Sequence, residues 1–182
     1  MNESLNDNKW GQGSMAKIRL LVPADAENYS KIRLEALRYN ADSFATTYSE
    51  EKGNPIEKYK SRFRSDTSFT LGAFEGDSLV GIITLVREQY YKLRHRANIV
   101  AMYVTPAKRK QGVGKSLLIE VIKLAKNING VEQLYLTVIT TNRAAIELYS
   151  TLGFNVFAIE EKAMKLEGYY LDEQHMVLFL EK

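Results

Sequence analysis

Eight consecutive residues, Arg109-Lys110-Gln111-Gly112-Val113-Gly114-Lys115-Ser116, combine two glycines with three cations at a spacing that suits an anion. The segment follows an apolar run and opens an amphipathic one. Its backbone N–H groups therefore stand unpaired at a helix start, at the positive end of the helix dipole. Gly112 and Gly114 admit a phosphate close to the main chain, and Lys108, Arg109, Lys110 and Lys115 supply charge for a polyanion such as the pyrophosphate of a cofactor. Taken alone, the glycines suit a softened helix start beside a solvated basic turn equally well. Two rival phosphate motifs fail on spacing. Gly114-Lys115-Ser116 imitates the end of a nucleotide P-loop, but the glycine that loop needs five residues earlier is Arg109. A dinucleotide fingerprint needs a third glycine and an acidic residue about twenty residues on, and neither requirement is met convincingly.

The elements that must position this loop can be read from periodicity. Residues 97–104 form a strand ended by Thr105-Pro106, and residues 112–125 a helix whose Val113, Leu117, Leu118, Val121, Ile122 and Leu124 make a broad apolar face. Residues 69–74 and 79–86 are β-branched apolar runs around Glu75-Gly76-Asp77-Ser78, a hairpin. Earlier, residues 17–22 alternate as a half-buried strand, Pro23 stops them, and Asp25 is the expected N-cap of a helix with Tyr29, Ile32, Ala36 and Leu37 on one face. Between residues 40 and 54 lies an irregular stretch with Phe44 and Tyr48, after which Pro55 opens a short helix; such a segment often covers a pocket. Residues 131–139 read as a strand, and residues 142–152 as a helix capped by Asn142 and closed by Gly153. Strands over 154–159 and 175–180 complete a mixed α/β sheet covered on both faces.

Composition bounds the function. The 182 residues fit one domain, and 45% hydrophobic with 26% charged residues is a globular balance. With 25 Lys and Arg against 22 Asp and Glu, the net charge of +3 does not by itself imply nucleic acid. The absence of cysteine excludes disulfides and thiolate chemistry, and two isolated histidines, His95 and His175, argue against a metal site. Without an apolar run of about 18 residues or a signal-like start, a cytoplasmic protein away from membranes is expected. Residues 1–14 read as a leader or expression tail, because Gly13-Ser14-Met15 looks like a start after a short extension, and residues 15–182 as the domain.

The strand-plus-loop segment resembles the GNAT superfamily of acyl-CoA-dependent N-acetyltransferases, in which Arg or Gln, two variable residues, Gly, one variable residue and Gly or Ala follow a strand and a proline. Arg109, Gly112 and Gly114 fall in that register after Met102-Tyr103-Val104-Thr105-Pro106. Asn142-Arg143-Ala144-Ala145-Ile146-Glu147-Leu148-Tyr149, with Gly153-Phe154, is similar to the family's later helix and its exit, and the likeness extends over about residues 18–180. The resemblance implies a single-domain, largely antiparallel central sheet flanked by helices, acetyl-CoA as cosubstrate, no metal, and an amine acceptor.

It also implies roles. The pantetheine arm pairs like an added strand with main-chain groups of Met102 and Val104, freed by a bulge. The Val104 N–H is a candidate donor to the thioester oxygen. Residues 109–116, from Arg109, Lys110, Gln111, Gly112 and Val113 to Gly114, Lys115 and Ser116, take the phosphates. Asn142 bonds the arm while capping its helix. Tyr149 matches the family's general acid, since a phenol near 10 can protonate a thiolate whose thiol titrates near 8.5. Without the resemblance, Tyr149 reads as one packing tyrosine among 11. The base that must deprotonate the amine has no candidate, because the strand over 97–104 lacks a carboxylate. Glu35, Tyr48, Glu51, Tyr103, Tyr170 and Asp172 are weaker candidates for the acceptor side. Two rival functions stand beside this one: a non-catalytic acyl-CoA sensor on the same fold, and a nucleic-acid-binding module using the basic loop and Arg94 to Arg96. The acceptor and the assembly state stay open, a homodimer being common in the family.

Overall fold

The computed structural model describes residues 16–181, so the expected leader lies outside the described residues. Seven strands form one sheet in the order β1-β2-β3-β4-β5-β7-β6: β1 (Lys17–Leu20), β2 (Ser68–Glu75), β3 (Ser78–Arg87), β4 (Arg96–Val104), β5 (Gln133–Ile139), β6 (Asn155–Leu166) and β7 (Tyr169–Phe179). Every neighbouring pair is antiparallel except β4 with β5. Helices α1 (Ala26–Tyr39), α2 (Tyr48–Glu51) and α3 (Ile56–Phe63) precede β2, while α4 (Val113–Asn127) and α5 (Arg143–Thr151) follow β4 and β5.

The apolar periodicity decides which face each helix covers. Leu117, Leu118, Val121 and Ala125 of α4 are fully buried with Leu85, Ala97 and Leu134 of the sheet, in a core that Tyr149 of α5 joins. Fully burying each Leu or Val contributes about 1.5–3 kcal/mol. On the opposite face Tyr29, Ile32 and Ala36 of α1 meet Tyr59 of α3, with Tyr29 and Tyr59 rings 5.1 Å apart. Among the described residues no helix is long and apolar enough to cross a membrane.

One irregularity positions everything that follows. The parallel pairing of β4 and β5 covers only Arg96 to Asn98 against Gln133 to Tyr135. Further along, β4 bulges: Ile82 pairs with Tyr103 but Thr84 pairs with Val100, so Ile83 faces both Ala101 and Met102. Ala101 adopts φ 54°, a left-handed conformation uncommon for alanine. An extra residue bends its strand, and β4 and β5 diverge into a wedge.

Two expectations need correction. Asp25 does not cap α1 with its side chain; its carboxylate accepts both ends of the Arg19 guanidinium, at 2.7 and 2.8 Å, and the Val22 N–H at 2.8 Å. A bidentate charged partner outweighs a single cap bond. The last two strands are also longer than periodicity implied and form one hairpin, turning at Glu167 and Gly168 with φ 47° and 95°. The first eight residues of β6 are exposed on both faces, so its Glu-Glu-Lys stretch carries no apolar alternation to betray it.

Candidate active site

The glycine loop is built by backbone conformation. Gly112 is the N-cap of α4 at φ 83°, where a Cβ would meet nothing within 4 Å, so the dihedral and not crowding demands glycine. At Gly114 the reason differs: a Cβ would lie 3.3 Å from the Met102 methyl, so its absence lets α4 approach β4. Lys110 is also left-handed, at φ 59°. Arg109 acts as a strap, its Nε donating to the Val104 carbonyl at 2.9 Å and its Nη2 to Asn40 Oδ1 at 2.7 Å. Lys108 is paired with Glu75.

A cavity of about 430 Å³ opens from this loop, bordered by Met102, Tyr103, Val104, Arg109, Lys110, Gly112, Gly114, Lys115, Asn142 and Tyr149. Three residues expected at the phosphates do not border it. Val113 is buried in the core, Gln111 donates to the Ala107 carbonyl, and Ser116 is exposed one turn further on.

The cavity narrows where β4 and β5 part, to a waist of about 80 Å³ between Ala101, Met102, Val138, Tyr149 and Glu173. Tyr149 is 8% exposed, and burial pushes its phenol up to about 12. Its hydroxyl donates to the Met102 sulfur at 3.5 Å, a weak acceptor. Asn142 caps α5 by accepting from the Ala145 N–H at 3.2 Å.

Beyond the waist lies a third cavity, of about 630 Å³. One face of the sheet lines it through Thr84, Asn98, Val100, Tyr135, Thr137 and His175, and α1, α3 and the segment around Phe44 wall it. Ser43 and Phe44 border all three cavities, so they adjoin.

The waist supplies a carboxylate that sequence reasoning missed. Burial raises the Glu173 carboxyl above its ordinary range, partly opposed by His175 and reinforced by Glu160. Glu173 and His175 share a face of β7 at a spacing of two, and His175 Nε2 lies 2.9 Å from Glu160 Oε2. Only the pairing of β7 with β5 carries this face to the wedge, and no local signal announces that. Of the weaker candidates, Tyr103 borders the cofactor-side cavity and donates to Glu35 Oε1 at 2.9 Å. Glu51 lines the third cavity. The Tyr48 hydroxyl accepts from Arg38, Tyr170 is exposed between Lys162 and Lys165, and Asp172 accepts from the Lys162 N–H; none of these three lines the three cavities.

An anion cradle, a wedge in a seven-stranded sheet and a buried phenol between two mouths define an acyl-carrier-dependent transferase. Residues 18–175 match the Acetyltransferase (GNAT) domain family, and the chain belongs to it: it is a GNAT acetyltransferase. An N-alpha-acetyltransferase of Sulfolobus acidocaldarius is 28% identical over 169 residues, 89% of each chain. A GNAT-family acetyltransferase of Streptococcus pneumoniae superposes with a TM-score of 0.76 at 26% identity, over 90% of this chain and 99% of that one. A phosphinothricin acetyltransferase of Sinorhizobium meliloti, solved with acetyl-CoA, shares the fold with a TM-score of 0.77 at 22% identity, over 91% of this chain and 89% of that one.

Proposed function

We propose that this acetyltransferase moves the acetyl group of acetyl-CoA directly to a primary amine of a small molecule or peptide, with Tyr149 as acid and Glu173 as base. The observation that carries the reading is the wedge: three adjoining cavities run from the glycine loop to the far face of the sheet, and Tyr149 and Glu173 line the smallest of them.

The chain's own groups fit the cosubstrate. Unpaired N–H groups at Gly112 to Gly114, with Lys110 and Lys115, receive the pyrophosphate. Thr105 N–H donates to the Val80 carbonyl at 3.0 Å, which makes Gly81 and Val104 a non-hydrogen-bonded pair and turns the main chain of Val104 away from β3. The pantetheine arm can then add to β4 as a strand would. Tyr149 meets β4 through the Met102 sulfur, and the Val104 N–H, turned away from β3, is the donor for the thioester oxygen.

The amine nitrogen attacks the thioester carbon, the C–N bond forms, and the C–S bond breaks as the tetrahedral oxyanion collapses. Glu173 accepts the proton that leaves nitrogen. Tyr149 donates toward the departing sulfur. At a pKa of about 12 its phenol is fully protonated at neutral pH, as an acid must be. Complete transfer to a thiolate of pKa about 8.5 is uphill, so the hydroxyl stabilises sulfur by hydrogen bonding as the bond lengthens.

Calorimetric titration with acetyl-CoA, against ATP and NAD as controls, tests the reading. Selective acetyl-CoA binding followed by amine-dependent thiol release supports it; binding without release from any amine favours the sensor, and no binding by folded protein rejects both.

A further inference from the structure

The third cavity has a charge problem that its own residues do not solve. Arg33, Lys58, Arg62 and Arg96 line it, against one carboxylate, Glu51. That carboxylate is taken: Tyr59 Oη donates to it at 2.7 Å and Lys58 Nζ lies 3.9 Å away. Arg62 donates to Tyr29 Oη at 3.1 Å. Arg33 is 9% exposed, and its guanidinium rests over the Phe44 ring at 4.7 Å. Its Nη1 is buried without a hydrogen-bond partner among the described residues, and so is the Nε of Arg96, which lies over Tyr135 at 4.0 Å. Burying an unpaired cation costs several kcal/mol, and of the two arginines it is the buried Arg33 that carries this cost, Arg96 being only half-buried.

We infer that the acceptor bears a carboxylate, which pairs with Arg33, as well as the amine that reacts, so that the substrate class is a small amino acid. This rests on the acetyl-transfer reading above. A guanidinium offers parallel N–H groups that match the two oxygens of a carboxylate. The cavity, at about 630 Å³, is of small-molecule size. Phe44 carries Arg33 on its ring and also borders the waist, so one side chain links the basic wall of the cavity to the small cavity that Glu173 lines. At the waist the half-buried carboxyl of Glu173 complements the amine end of the acceptor. The two ends of the cavity thus have opposite polarity, as the two ends of a zwitterion do.

The test uses the full-length protein and a panel of L-amino acids, each with its carboxamide and its decarboxylated amine. Thiol release from acetyl-CoA is measured, and in parallel calorimetric binding of each compound to the protein saturated with coenzyme A. At least one amino acid should exceed its amide and its amine in kcat/KM, or in affinity, by at least ~30-fold, the loss expected on truncating one side of a buried charge pair. Arg33→Met should abolish that preference while leaving acetyl-CoA affinity unchanged; Arg33→Lys, which keeps the charge and loses the fork, should restore part of it. If amides and amines perform as well as every parent acid, or if no amino acid binds or reacts, the assignment is overturned. Failure to bind acetyl-CoA, with amino-acid binding to the free protein intact, would instead overturn acetyl transfer and leave the carboxylate site standing.

Discussion

Replacing Tyr149 by Phe removes one oxygen and leaves the ring. The ring packs 6.1 Å from Phe154 and belongs to the core beneath the wedge, so its apolar burial is retained. The hydroxyl gives little to stability, because its partner is a thioether sulfur at 3.5 Å while its own desolvation is nearly complete. Unfolding free energy should therefore change by less than about 0.5 kcal/mol, or rise. Turnover should fall by roughly 10²–10⁴, the usual yield of a positioned proton donor. Acetyl-CoA affinity should hold, because the lost interaction develops with the leaving thiolate. Thiol release, calorimetric binding and thermal melting on the same preparations separate the three quantities. A variant that melts well below the parent, or that turns over at the parental rate, would show the hydroxyl to be a packing group and remove Tyr149 from the chemistry.

Other expectations are shorter to state. Gly112→Ala should cost about 1–2 kcal/mol through its left-handed φ alone, since a Cβ meets no neighbour there; Gly112→Glu should in addition abolish acetyl-CoA binding in calorimetry, by setting an anion where phosphates bind. Glu173→Gln should lower kcat/KM and flatten the acid side of its pH profile. In the parent that side reflects a raised carboxyl: as pH falls through its folded-state pKa, Glu173 becomes protonated and can no longer accept the amine proton. The groups facing it are Glu160 and His175, and a profile unchanged by the substitution would remove Glu173 from the chemistry.

Local patterns carried much of the framework. The β2–β3 hairpin, the strand-loop-helix around Gly112 and the Asn142 cap are written in turn residues, glycines and apolar periods that act over a few positions. Arg109 was legible as part of the motif but not as a strap, because Asn40 is far from it in sequence. Glu173 and Arg33 were invisible for a related reason: one reaches the wedge through a strand pairing that skips over β6, and the other, on α1, meets the cavity through Phe44 of the irregular segment that follows it. The long β6–β7 hairpin was hidden because its exposed half has no buried face to pattern it.

The narrow point of the passage also serves as a caliper. A cavity of only about 80 Å³ lies between the one proposed for the cofactor and the one proposed for the amine. On the proposed reading the two-carbon acyl group sits in this gap, which Met102 borders. Each further methylene would have to push through toward Arg33 and occupy the space where the acceptor must stand. On the proposed reading, a longer thioester should therefore react more slowly than acetyl-CoA, because its chain would crowd the acceptor. If cofactor and amine enter from opposite ends, as proposed, neither would need to leave before the other arrives.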